Sequence, residues 1–455
     1  MSWNGEGRSS KTHQVLNDPK RITLIGVGRL GLCLALVAER AGYKVLGVDV
    51  LPQYVEKIND KTLVSSEPFV TEYLKASKNF RATTSVKEAL QFADVIMVLV
   101  ATPSTGGDRH YDVTQVSRVL TDMNNYRIEN KHVVICCTVL PGYIATIGRE
   151  LLKDCKNTSL SYNPEFIAQG DIIRGLERPD IVLIGEGSKE AGDFVETLWS
   201  DFTYNEPKIC RMSPESAEIA KLSLNCFVTM KISFANQIGD IADRTPNADK
   251  YAILAAIGSD TRVGTKCLGW GYGFGGPCFP RDNRALAGYA ESVGIHPALA
   301  FATDDYNKLH ADIMAQELLE EDREEYIFEN VTFKEPCAVP IIEESQKLLV
   351  ARKVVSYIHI FIILTTKLEV KAKKGKKVII RDRPDVIEAC RQEFGSLFIY
   401  RSKDSPLDSH SSSNHNQKVN PPSSFSTGDV FRDAALATVD RRHGGLLSTS
   451  ELEKK

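Results

Sequence analysis

The stretch "GWGYGFGGPCFPRD", Gly269 to Asp282, sets one thiol, Cys278, behind a run of glycines and one helical turn ahead of a carboxylate, Asp282. A cysteine thiolate attacks carbonyl carbon, and glycines allow the close backbone approach that shapes a tight loop. Such a loop answers to a packed neighbour or to a substrate. Lys221 and Asn225 stand i, i+4 in "AEIAKLSLNCF", so on a helix they share a face and can aim an ammonium and an amide at one point. A thiol attacking a carbonyl would use such a pair to hold the developing oxyanion. The plainer readings are a small apolar side chain filling a corner and a surface pair.

A second constellation lies near the start of the chain, in "RITLIGVGRLGLCLALVAERAGYKVLGVDV". Gly26, Gly28 and Gly31 form Gly-x-Gly-x-x-Gly after an apolar run, Ile22 to Ile25, and before a helical run that Gly42 ends. Asp49 follows Gly31 by 18 residues, at the end of the next apolar run. This is the context of a dinucleotide site: the glycines let a pyrophosphate reach the helix N-terminus, and the acid bonds the ribose hydroxyls. An acid there repels a 2′-phosphate, so the cofactor expected is NAD and not NADP.

The elements that must position these groups read as α/β. After the first strand, helix and strand, further strands are expected in "ADVIMVLVATPS", "HVVICCTV" and "DIVLIG", giving a mostly parallel sheet over residues 21–210. Ser213 as N-cap and Pro214 at the first helical position open a long helix to about Asp243, the start of a helical region over 211–325. Residues 326–402 read as strand, helix, strand, helix, strand. Residues 1–20 and the Ser-, Asn- and Pro-rich 403–455 read as disordered tails.

Composition excludes several classes. The 455 residues exceed one core, and 42% hydrophobic with 25% charged residues is ordinary for a soluble protein. A formal net charge of −3 gives no drive toward nucleic acid. The ten cysteines form no Cys-x-x-Cys pair and no zinc spacing, so no metal is expected, and Cys33, Cys136 and Cys137 sit in apolar runs as free thiols of a reducing compartment. The N-terminus lacks the apolar core of a signal peptide, and "YIHIFIILTT" is about half the roughly 20 residues of a spanning helix, so a cytoplasmic protein with no membrane partner is expected.

The segments "ITLIGVGRLGLCLA", "NPEFIAQG", "AEIAKLSLNCF", "GSDTRVG" and "GFGGPCFPRD" occur in the order found in the UDP-glucose/GDP-mannose dehydrogenases, and the chain resembles that family over about residues 21–310. The resemblance implies an N-terminal Rossmann NAD domain, a central helical dimerisation region and a C-terminal Rossmann-like nucleotide-sugar domain. It implies a four-electron oxidation of a sugar C6 alcohol to a carboxylate with two NAD, UDP-glucose being the substrate expected, in a homodimer or higher homo-oligomer. Cys278 would be the nucleophile, passing through a thiohemiacetal and a thioester. Lys221 and Asn225 would hold the oxyanion, Asp282 and Thr138 would position water, and Glu165 would do acid-base work. Thr102 joins the cofactor group. Arg262, Gly275, Gly276 and Lys334 join the substrate group, Arg262 reaching across a dimer interface and the glycines making room for the sugar pyrophosphate.

Four features depart from the family pattern. Gln169 stands where Glu commonly precedes Gly170, Arg281 replaces a lysine, and Glu343-Glu344-Ser345 replaces Arg-Glu-Ser. The fourth is an apparent insertion over 355–370, whose removal would join "LLVARKV" to "KAKKGKKVIIRD". It reads as a surface hairpin, or as a retained intron, since Val355-Ser356 can be encoded by a splice-donor sequence. Two other activities stay open: a two-electron β-hydroxyacid-type dehydrogenase, which has no use for Cys278, and a weakened paralogue that only binds.

Overall fold

A computed structural model describes residues 18–103, 111–364 and 375–404. The tails expected over 1–20 and 403–455 lie outside the described residues except at 18–20 and 403–404. The chain divides into two compact units, residues 1–224 with 284–296, and residues 225–283 with 297–455.

The first unit is built on an eight-stranded sheet. Its strands are β1 (Arg21–Ile25), β2 (Lys44–Val48), β3 (Phe80–Thr83), β4 (Val95–Val98), β5 (His132–Ile135), β6 (Ser159–Tyr162), β7 (Ile181–Gly185) and β8 (Lys208–Met212). They lie in the order β3-β2-β1-β4-β5-β6-β7-β8. All pairs are parallel except β6 with β7. The first six strands therefore have the 3-2-1-4-5-6 order of a doubly wound dinucleotide fold, whose ligands bind beyond the carboxyl ends where the order reverses, between β1 and β4. Parallel strands covered on both faces need continuous apolar runs, as in β4, "VIMV", where all four residues are buried. Alternate residues feed two cores: Ile22, Leu24, Val45, Val95 and Met97 join one, and Ile25, Leu46, Ile96 and Val98 the other.

The central helix, Pro214–Asp243, is continuous over 30 residues. Ser213 starts it as the sequence predicts, its Oγ accepting from the Ser216 amide at 3.2 Å. From Asn225 the helix belongs to the second unit, which also holds the helices Lys250–Ser259 and Ala298–Glu320 and a three-stranded parallel sheet in the order β11-β10-β9. Those strands are β9 (Glu325–Glu329), β10 (Lys377–Asp382) and β11 (Ile399–Ser402), with helices Gln346–Leu364 and Pro384–Phe394 between them.

The hairpin expected over 355–370 is corrected. One helix runs from Gln346 through Leu364, and residues 365–374 lie outside the described residues. Val355 and Ile358 are buried in the core of the small sheet, and the Tyr357 hydroxyl donates to Asp312 Oδ1 at 2.7 Å. Helical spacing of Val354, Val355 and Ile358 puts them on one buried face.

Candidate active site

Strand register gathers five of the residues singled out by sequence. Ile25 pairs with Val48 and with Val98, Val98 with Ile135, and Ile135 with Tyr162, so these strand ends form one row. Gly26 follows β1, Asp49 follows β2, Thr102 lies in the segment after β4, Thr138 in the segment after β5, and Glu165 in the segment after β6. All five thus stand beyond the carboxyl edge of the parallel sheet, where ligands of such folds bind.

The three glycines do three jobs. Gly26 has φ +95°, and a Cβ there would lie 2.7 Å from the Leu99 carbonyl oxygen. A Cβ on Gly31 would collide with the carbonyl of Gly26, so the first turn of helix α1 (Arg29–Arg40) packs directly on the loop. Gly28, at the N-cap, has nothing within 4 Å of its Cβ position. That open position at a helix N-terminus is what a pyrophosphate requires. Asp49 accepts from the Leu51 amide through Oδ1 at 3.1 Å and is part-exposed. Its second carboxylate oxygen is suited to ribose hydroxyls.

Glu165 is buried, and its Oε1 has no hydrogen-bond partner among the described residues. Burial pushes its carboxyl up to about 8, with the nearby Lys221 charge opposing. A carboxyl that titrates near neutrality can take and return protons at working pH. Lys221 is no surface residue: it is 7% exposed, its Nζ donates to the Glu165 carbonyl at 2.5 Å, and it lies 4.4 Å from the Phe166 ring centroid. Two of its three donors remain for other acceptors.

Two supporting residues escaped the sequence reading. Glu218 is fully buried one turn before Lys221, and its carboxylate accepts from the amides of Gly142 at 2.6 Å and Ile144 at 2.9 Å. It thereby holds the segment "TVLPGYI" that carries Thr138. The signal was present in the spacing of Glu218, Leu222 and Asn225, a polar residue on what reads as a packed face. Asn163, ahead of Glu165, donates to the Leu183 carbonyl at 2.9 Å and accepts from Trp199 Nε1 at 2.8 Å, which fixes the end of β6.

In the second unit, Asn225 Nδ2 donates to Asp282 Oδ2 at 2.7 Å, and Cys226 Sγ lies 3.6 Å from the Asp282 carbonyl. Asp282 is 1% exposed, and its amide donates to the Cys278 carbonyl at 2.8 Å. Cys278 is part-exposed and immediately precedes the helix Phe279–Ser292, where unpaired amides favour negative charge. Asn225 and Asp282 are therefore paired through their side chains, and Cys278 stands one helical turn before Asp282. Arg281 Nε stands 3.9 Å from Asp282 Oδ1, so the replaced lysine position still delivers a cation to the aspartate.

Gly275 and Gly276, expected to make room for a sugar pyrophosphate, are each packed on the side where a Cβ would stand. A Cβ on Gly275 would strike the Glu344 carbonyl, and one on Gly276, at φ +82°, would strike the Phe333 ring. Gly276 thus packs against the residue that precedes Lys334. Lys334 Nζ is 5.9 Å from the Phe333 ring centroid.

Arg262 is exposed and forms a two-point ion pair with Asp260, at 3.0 Å through Nε and 2.7 Å through Nη2. Lys231 of the central helix anchors this loop by donating to the carbonyls of Val263 at 3.0 Å and Gly264 at 3.3 Å. Gln169 accepts from Arg29 Nη1 of the glycine loop at 3.0 Å, while buried Glu67 takes the Gly170 amide at 2.8 and 2.9 Å. No group of three or more His, Cys, Asp or Glu that could hold a metal occurs among the described residues. None of their helices is long and apolar enough to cross a membrane.

Comparison with known proteins agrees with this geometry. Residues 20–203 match the NAD binding domain, and residues 215–309 the central domain, of the UDP-glucose/GDP-mannose dehydrogenase family. A GDP-mannose 6-dehydrogenase of Pseudomonas syringae pv. tomato is 30% identical over 296 residues, which are 61% of this chain and 66% of that protein. The chain thus matches just under two thirds of that relative's length. A UDP-glucose 6-dehydrogenase of Pseudomonas aeruginosa is 28% identical over 66% of this chain and 67% of its own. The solved structure of a UDP-glucose dehydrogenase from Pyrobaculum islandicum superposes with a TM-score of 0.71 at 27% identity, covering 84% of this chain and 86% of that one. The two family matches take in more than half of the chain, which belongs to the UDP-glucose/GDP-mannose dehydrogenase family and carries its NAD binding domain at residues 20–203.

Proposed function

We propose that the protein is an NAD-dependent nucleotide-sugar 6-dehydrogenase that oxidises the C6 alcohol of UDP-glucose to the carboxylate. The observation that carries this reading is the row of Gly26, Asp49, Thr102, Thr138 and Glu165 beyond the carboxyl ends of β1, β2, β4, β5 and β6. Gly26, Gly28 and Gly31 would cradle the pyrophosphate, and Asp49 would accept from the ribose hydroxyls. When bound, NAD would supply the hydride acceptor for each of the two oxidations.

The chain's own groups do the rest. In its ionised form, whose share grows as pH rises toward about 8, Glu165 takes the proton of the C6 hydroxyl as its hydride leaves, which yields an aldehyde. The Cys278 thiolate adds to the aldehyde carbon, forming the C–S bond of a thiohemiacetal, while Lys221 and Asn225, on successive turns of one helix, donate to the oxygen. Asn225 spends one amide hydrogen on Asp282 and keeps the other for this purpose. Loss of the second hydride leaves a thioester. Water placed by Asp282 and Thr138 adds to it, and the C–S bond breaks to give the carboxylate and free thiol.

Arg262 and Lys334 supply cations for a nucleotide diphosphate, Arg262 to a partner chain's substrate. A second copy would pair along the central helix, where Phe227, Phe234 and Ile241 recur at seven-residue intervals and are 56%, 44% and 55% exposed.

The test is NADH formation on a panel of UDP- and GDP-sugars, with product analysis. UDP-glucose should give about two NADH per carboxylate, as two successive hydride transfers require. Cys278→Ala should lower carboxylate formation by several orders of magnitude while NAD and nucleotide sugar still bind. One NADH per sugar with no carboxylate, or near wild-type carboxylate formation by Cys278→Ala, overturns the reading.

A further inference from the structure

The loop that leads to Cys278 is held by a buried polar cluster outside the proposed chemistry. His310, on the helix Ala298–Glu320, is 0% exposed and Asp240, on the central helix, is 4% exposed. His310 Nδ1 lies 2.7 Å from Asp240 Oδ2, and His310 Nε2 lies 2.7 Å from the Gly271 carbonyl oxygen. A carboxylate and a carbonyl only accept, so both ring nitrogens must donate. The ring is therefore an imidazolium paired with a carboxylate.

The same carboxylate takes two more donors, Trp270 Nε1 at 3.0 Å and the Tyr306 hydroxyl at 2.9 Å. Burial would raise the Asp240 carboxyl, but these bonds and the His310 charge outweigh it and hold it below the usual value. Trp270 packs so closely on the central helix that a Cβ on Gly239 would collide with its indole, and the Lys250 ammonium sits 3.0 Å from its ring centroid. Asp243 neutralises Lys250 at 2.9 Å, and Arg244 donates to the Asp240 carbonyl at 3.0 Å. Two asparagines complete the hold: Asn236 accepts from the Gly271 amide at 2.9 Å, and Asn307 both accepts from the Phe274 amide at 2.9 Å and donates to its carbonyl at 3.0 Å. Three residues separate Phe274 from Cys278, and two of them, Gly275 and Gly276, are packed against neighbours.

We infer that the Asp240–His310 ion pair is a positioning device for the thiol, tethering the carbonyl of Gly271 and the indole of Trp270 so that the loop delivers Cys278 in one place. The inference rests on Cys278 being the nucleophile. A core could bury apolar residues here at no desolvation cost, and a buried pair of this kind specifies a geometry more than it adds stability. His310→Phe keeps a ring beside Tyr306 and Trp270 but removes both donors. His310→Gln keeps one donor for the Gly271 carbonyl.

Hydrogen exchange of peptides over residues 269–278 should quicken about tenfold or more in His310→Phe, local opening following loss of charge-assisted bonds. Peptides of the first unit should be unchanged. His310→Gln should restore most of the protection. With UDP-glucose, His310→Phe should lower kcat at least tenfold with KM moved less than threefold, and His310→Gln should recover at least half of the lost activity on a logarithmic scale. Loop exchange equal to wild type, exchange raised uniformly through the chain, or kcat intact despite a loosened loop each overturns the inference. Should His310→Phe fail to fold, Asp240→Asn, which keeps the shape and removes the charge, carries the same two measurements with the same signs. A wild type that turns over no nucleotide sugar defeats the proposed function, and the exchange measurement then decides the positioning role on its own.

Discussion

Glu165 is where burial and chemistry meet. Its carboxyl, raised by burial to about 8, holds its proton through neutral pH in the folded chain and loses it near 4.5 when unfolded. Between those values the folded state binds more protons, so this group's contribution to stability is complete below about 4.5 and is lost as pH rises through about 8. Glu165→Gln should flatten the fall of the urea midpoint over that window. It should also remove the pH-rate limb near 8 and lower kcat about 10²- to 10⁴-fold, the usual worth of a general acid-base group. A mutant profile with the limb still in place sinks the assignment. Asp49 makes a second residue-scale prediction: Asp49→Ala should weaken NAD binding about tenfold or more and NADP binding less, because the acid bonds a 2′-hydroxyl and repels a 2′-phosphate. Titration of both cofactors by fluorescence decides it; equal losses count against Asp49. Side chains such as Asp49 and Cys278 were legible in the sequence because their neighbours in the chain are also their context. Asp240 and His310 were not, since they are seventy residues apart and only the packing of two helices makes them a pair.

At the scale of elements, long apolar runs declared themselves and short mixed ones did not. β4, β5 and β7 stood out as "VIMV", "HVVI" and "IVLIG". β3, "FRAT", and β8, "KICRM", are edge strands with one partner each, so they need fewer apolar residues and escape a search for apolar runs. β6, "SLSY", is central, but Ser161 spends its hydroxyl on the Gly187 amide at 3.0 Å, a contact no local pattern announces. The helix Gln346–Leu364 was not legible for another reason: its last turns fall in the segment 355–370, which reads as a surface hairpin from its flanking sequence, and only the core it packs on shows that Val355 and Ile358 belong to a helix. Ile358→Ala should cost about 2–5 kcal/mol in urea unfolding, the usual loss for a buried aliphatic, and deletion of Val355 to Val370 should cost at least as much. Unchanged stability of either variant would show that the helix ends before Val355.

For the whole molecule, the exposed stripe of Phe227, Phe234 and Ile241 is the feature that a lone chain leaves unexplained. A seven-residue repeat of large apolar groups on one helix is the pattern of helix pairing. Phe227→Asp with Phe234→Asp should shift the protein to monomer in sedimentation velocity. Under the proposed function, activity should fall with it, because Arg262 would then be denied a neighbour's substrate. Monomeric wild type, or an unshifted variant, refutes the pairing. A different consequence follows from Gly275 and Gly276 packing on Glu344 and Phe333. Synthesis runs from the N-terminus, so a ribosome that has completed the helix after Cys278 has not yet made the surface against which that helix's entry loop closes. The dinucleotide fold can be finished early, on a nascent chain, while the thiol waits for residues more than fifty positions downstream. With Cys278 as the proposed nucleophile, chemistry would be the last thing to mature, and a ribosome-bound chain stalled before Phe333 should bind NAD without yet being able to oxidise a sugar.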